Sequence, residues 1–175
     1  MSERHFMASV VPALIVLFAV IVCAIPWGLP DGATFILPLV TATPIFYLSA
    51  QPDRGVPVWL AFLAGLATDI LTAGPLGYWA LIFLLTHSLA KAYRQTATSE
   101  TFGGLWLGFA LTLAVVAALG WALASLYFVR FIDWRPMVIG AVAATLLFPL
   151  VTWPIGRLLR WGEARSGGLS FRSRA

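Results

Sequence analysis

Residues 56–71 read VPVWLAFLAGLATDIL, residues 72–75 TAGP and residues 76–90 LGYWALIFLLTHSLA. Two short apolar runs therefore meet at a tight Thr72 to Pro75 connection, and Pro75 is pre-set for the first turn of the helix that follows. The pattern predicts an antiparallel helical hairpin. Inside its first arm stands Asp69, the one acidic residue within an apolar run. A charge at the centre of a membrane helix costs about 2.5–3.5 kcal/mol on insertion scales, so Asp69 faces protein or a water-filled cavity. Ala61, Gly65 and Asp69 recur every fourth residue and share one helix face, a small-residue stripe that lets another helix approach closely. Three uses of the carboxylate follow. It can accept the free amides that begin the second arm, make a polar contact to a partner helix, or bind a proton or ion.

Apolar runs of this kind cover the rest of the chain. They lie at about 6–25, 33–49, 56–71, 76–90, 102–127 and 137–159, separated by Pro, Gly and charge and followed by a basic tail, 160–175. With 61% hydrophobic and 10% charged residues and a mean hydropathy of +0.92, a water-soluble globule is excluded. A bilayer core asks about 20 apolar residues of each spanning helix, so 175 residues hold six spans and no soluble catalytic domain. The expected architecture is all-α, a single polytopic membrane domain of six transmembrane helices over residues 1–175. The first run follows Arg4 as a secretory signal would, but it exceeds the roughly 7–15 residues of a signal core, and Val22 before Cys23 does not suit lipoprotein processing. It reads as an uncleaved first span. Pro38 and Pro44 predict a bent, protein-packed second span.

Charge sets the orientation. Arg4, Arg54, Lys91, Arg94, Arg157, Arg160, Arg165, Arg172 and Arg174 fall on one side of six spans, and only Arg130 and Arg135 on the other. The positive-inside rule then puts both termini in the cytoplasm of a multi-pass inner-membrane protein. Trp27, Trp134 and Trp161 mark span ends. The basic tail suits anionic headgroups, and without an aromatic-interleaved basic groove it gives no reason to expect nucleic acid.

Few residues could carry chemistry. One cysteine, Cys23, and two histidines, His5 and His87, are too few for a metal cage. The chain lacks a GxSxG elbow, an HExxH pair and a phosphate-cradling glycine loop, so neither enzyme activity nor a cofactor is expected. Recognition residues are better represented. Gly104 and Gly108 form a GxxxG that Thr112, Gly120 and Ala124 extend, a spacing that serves intramolecular packing or a homodimer. His87, Lys91 and Arg94 share one end of the fourth span, as snorkelling anchors or as ligands for lipid phosphate or an acidic partner. Arg130, Asp133, Trp134 and Arg135 make the most polar outer loop, and Pro136 opens the sixth helix.

In the order and spacing of its landmarks the chain resembles the MreD family of bacterial rod-shape-determining membrane proteins over nearly its whole length. The match is carried by Pro52-Asp53, by the run Ala61 to Leu71 with Asp69, by Gly74-Pro75-Leu76-Gly77-Tyr78-Trp79-Ala80-Leu81, by Arg94, by Arg135-Pro136, and by Pro149 and Pro154 before a basic end. The resemblance implies a non-enzymatic member of the cell-wall elongation machinery that binds MreC and acts indirectly with RodA, a class B penicillin-binding protein and MreB. It also implies a fold similar to the substrate-binding subunits of energy-coupling-factor transporters, which keeps a small-molecule-binding subunit of a vitamin-type transporter as the alternative. Trp27, Asp31, Tyr127, Arg130 and Trp134 could contribute to such a pocket. For partner capture the candidate surfaces are the Ala61, Gly65 and Asp69 stripe, the Gly104 and Gly108 face, and His87, Lys91 and Arg94 with Arg135.

Overall fold

The computed structural model describes residues 2–25, 27–28, 30, 33, 35–51, 55–96 and 101–172, and their side chains from 10 to 161. Six helices account for almost all of them: α1 Ser2–Ala24, α2 Ile36–Ser49, α3 Val58–Leu71, α4 Tyr78–Thr96, α5 Phe102–Tyr127 and α6 Arg135–Arg172. The chain is all-α, with helices where the apolar runs predict them. Two differences have simple causes. Pro38 stands in the first turn of α2, where an amide has no helical partner to lose, so only Pro44 interrupts the hydrogen-bond ladder and α2 is one continuous helix. α6 passes through Pro149 and Pro154, as the sixth apolar run requires, and continues into the stretch expected as a basic tail as far as Arg172, because nothing between 160 and 172 breaks the helix. Arg4, Arg54, Arg165, Arg172 and Arg174, and with them most of the expected cytoplasmic charge, lie outside the described side chains, as do His5, Asp31 and Pro52-Asp53.

Phe102–Tyr127 and Arg135–Trp161 are long and apolar enough to cross a membrane by length and composition, whereas Ile36–Ser49 and Val58–Thr72 are apolar but shorter, as is Val10–Ala24, the part of α1 whose side chains are described. Among the described residues, then, two of the six expected spans meet the combined criterion of length and hydropathy. α2, at 14 residues about 21 Å long, is the short helix at the centre, packed against α1, α4, α5 and α6.

The core forms where α2, α5 and α6 meet. Phe46, Phe109 and Phe148 are fully buried. Phe109 stacks on Phe148 at 4.6 Å and tilts against Phe46 at 5.3 Å, while Tyr93 of α4 and Phe102 close the cluster at 6.0 and 6.1 Å. Such pairs contribute about 0.5–1.5 kcal/mol each beyond the area they bury. Buried threonines largely satisfy themselves. Thr68, Thr86 and Thr152 each donate to the carbonyl four residues back, at 2.8–2.9 Å, whereas the buried hydroxyls of Thr43 and Tyr78 meet no partner among the described residues.

Two helices end in the same way. After α3, Ala73 takes φ 50°, its amide donates to Ile70 and the Gly74 amide to Asp69; after α5, Val129 takes φ 51°, its amide donates to Leu126 and the Arg130 amide to Ser125. These are Schellman closures, which satisfy the orphan carbonyls of a helix end and normally place glycine at the left-handed position. A β-branched valine there is strained. The α5–α6 loop is then tied back, since Trp121 Nε1 donates to the Ile132 carbonyl at 2.8 Å and Ile132 N to Ser125 Oγ at 3.4 Å.

Candidate partner interface

The α3–α4 hairpin is built around Asp69. The side chain is fully buried, and its carboxylate accepts three amides from the start of α4: Gly77 N at 2.8 Å and Ala80 N at 3.4 Å on Oδ2, and Trp79 N at 2.7 Å on Oδ1. Asp69 thus caps a neighbouring helix, and its charge meets the positive end of that helix's dipole. Gly77, at φ +94°, turns the chain so that these amides converge. Close approach completes the joint. A Cβ on Gly65 would lie 2.5 Å from Ala80 N and 2.6 Å from the Trp79 carbonyl, so only glycine admits the backbone of α4 at this depth. Ala61 is fully buried in the same helix. The structure therefore brings Gly65 and Asp69 together on a face that α4 already occupies, with Ala61 buried one turn before them.

The other candidates are distributed differently. Gly108 is covered by Tyr93 of α4, whose ring would stand 2.6 Å from an added Cβ, and Gly120 is covered by Met137, Ile82 and the Tyr78 hydroxyl. Gly104 is half-buried. His87 turns inward, 2% exposed, with Nδ1 sharing a 2.9 Å hydrogen bond with Ser49 Oγ; its Nε2 is buried and meets no partner among the described residues. Lys91 and Arg94 are exposed, and Arg94 Nη1 donates to the Gln51 carbonyl at 3.1 Å. His87 is thus separated from the two cations by burial. Arg135 lies at the opposite end, exposed, with its amide capped by Asp133 Oδ1 at 3.1 Å.

What stays open is a surface that the sequence reading did not single out. Between α5 and α6 runs an apolar groove of about 520 Å3, walled by Ala110, Ala114, Ala117 and Ala118 on one side and by Met137, Val138, Ala141, Val142, Thr145 and Leu146 on the other. Trp121 and Trp134 close the end beside the α5–α6 loop. At the other end Trp106 Nε1 reaches across from α5 to the Thr145 carbonyl at 2.8 Å. From Ala110 to Trp121 the groove runs about 16 Å along the helix axis, three turns. The alanines at i, i+4, i+7 and i+8 were the available signal, obscured because α5 is apolar all round. Among the described residues no group of three or more His, Cys, Asp and Glu could hold a metal ion.

One family model, described as rod shape-determining protein MreD, matches residues 3–154, which take in α1 to α5 and α6 as far as Pro154. No curated protein and no solved structure matches the chain.

Proposed function

The chain belongs to the MreD family, and on that premise we propose that it is a non-enzymatic inner-membrane adaptor of the bacterial cell-wall elongation complex. In this reading all six helices lie in the bilayer with both termini cytoplasmic. A helix as short as α2 cannot satisfy a core about 30 Å thick by itself, but α2 is enclosed by α1, α4, α5 and α6 and meets protein instead of lipid. The apolar residues left outside the bundle and the groove suit a lipid solvent: Leu107, Leu111, Val115 and Leu119 on α5, and Ile139, Leu150 and Leu158 on α6, are all exposed.

The observation that carries the adaptor reading is the α5–α6 groove. Helices in lipid gain little hydrophobic energy by associating, so capture depends on close packing against small residues. The alanine wall supplies that packing along two helices of spanning length, while the Ala61-Gly65-Asp69 and Gly108 faces are engaged within the chain. We assign the groove to the single transmembrane segment of MreC, through which RodA, the class B penicillin-binding protein and MreB are reached indirectly. A vitamin-type ligand would want convergent polar groups, and the one hydroxyl in the groove, Thr145 Oγ1, is committed to the Ala141 carbonyl at 2.8 Å.

Replacing Ala114 or Ala118 by Leu fills the groove from an exposed wall without touching the core. MreC co-purification should fall about tenfold or more, the protein should still insert, and cells dependent on the variant should round. Undiminished capture by both variants would remove the groove from the interface. Rod-shaped growth after depletion of the protein would remove the adaptor reading itself.

A further inference from the structure

At the end of the bundle where α2 and α4 finish and α5 begins, a second cavity of about 340 Å3 is lined by Tyr47, Phe102, Thr152, Trp153, Gly156 and Arg160. Its chemistry is divided. Phe102 and Trp153 present apolar walls, and Thr152 spends its hydroxyl on the Phe148 carbonyl at 2.8 Å. The polar groups converge on one buried glycine. The point where a Gly156 Cβ would stand lies 2.9 Å from the Tyr47 hydroxyl and 3.8 Å from Arg160 Nη1, so the missing side chain leaves the phenol and the guanidinium facing the same small space. Neither group donates a hydrogen bond to another described residue.

The surroundings favour an anion with an apolar tail. Arg157, on the next turn, lies 5.3 Å from the Trp153 ring centre and 5.9 Å from that of Trp161, which fixes a second cation and one wall of the cavity together. The acidic side chains among the described residues, Asp69 and Asp133, stand at the opposite end of the bundle, so no described carboxylate neutralises this cluster. The apolar run of α6 gives way to arginine at Arg157 and Arg160, which puts Arg160 at the level where headgroups begin if α6 spans a bilayer. We propose that this cavity binds one anionic phospholipid of the cytoplasmic leaflet, its phosphate held between the Tyr47 hydroxyl and the Arg160 guanidinium and an acyl chain laid against Phe102 and Trp153. The proposal rests on the membrane placement above but not on MreC capture, so either can fail alone.

Native mass spectrometry of the full chain, released from detergent after incubation with phosphatidylglycerol or phosphatidylcholine of matched chains, tests it. One phosphatidylglycerol should be retained per chain in preference to phosphatidylcholine. Arg160→Gln removes a charge-assisted donor and should weaken retention about tenfold, and Tyr47→Phe, which keeps the ring, about three- to fivefold. Arg130→Gln, at the other end, should retain the lipid as wild type does. Equal retention by wild type and Arg160→Gln, or equal retention of the two lipids, overturns the site. Displacement of the lipid by millimolar inorganic phosphate would assign the pocket to free phosphate and overturn the lipid reading.

Discussion

Replacing Asp69 by leucine removes the acceptor of three backbone amides at once. The Gly77 amide belongs to an exposed turn and recovers a partner from water, whereas Trp79 and Ala80 are 4% and 1% exposed and their amides do not. A buried amide left without a partner costs about 1–3 kcal/mol, so two put the loss at about 2–6 kcal/mol. The leucine recovers little of this, because lipid or detergent solvates its side chain about as well as the hairpin does. Asp69→Asn keeps one acceptor oxygen but turns an amide group towards the remaining donors, so roughly half of the loss is expected. Reversible SDS unfolding of the purified protein in micelles, followed by tryptophan fluorescence, measures both variants. A leucine variant within about 0.5 kcal/mol of wild type would refute the capping account, since surface-like substitutions change stability by that little. If the fold were retained and only MreC capture lost, Asp69 would act in recognition.

Val129→Gly relieves a strained left-handed residue whose side chain is 89% exposed, and should raise stability by about 1–2 kcal/mol, read as a higher melting temperature in detergent. Ala73→Gly at the matching position after α3 should act in the same direction by about 1 kcal/mol. Reporter fusions at Gln95 and Ala175 should both read cytoplasmic, and a fusion in the Arg130 to Arg135 loop periplasmic; a periplasmic signal at either of the first two would require an odd number of spans.

The hairpin was legible because its information is local. A stripe of three residues spaced by four, a buried acid and a Gly-Pro turn lie within some twenty positions, and helix geometry with that turn brings Asp69 to the amides of α4. The Gly108 face illustrates what was hidden. Periodicity says that Gly108 lies on a small-residue face, but α5 is apolar on every side, so nothing in its sequence names Tyr93 as the residue that covers it. The open groove depends on how α5 and α6 lie beside one another, and the Tyr47, Gly156 and Arg160 cavity joins α2 to the far end of α6, residues that no spacing rule connects. The sixth run is expected to pass through Pro149 and Pro154, and the helix does; its continuation beyond 159 into the basic stretch was not legible, because no stop or start signal marks that end.

The order in which the hairpin leaves the ribosome bears on Asp69. Its three donors follow it by 8, 10 and 11 residues, so at about 5–20 residues per second the whole amide set is synthesised within roughly half a second to two seconds of the carboxylate. In the membrane placement proposed above, the acid therefore need not enter lipid alone. α3 and α4 can leave the insertion machinery laterally as a preformed pair, and a longer connection at Gly74-Pro75 would lengthen the interval during which a naked charge must wait.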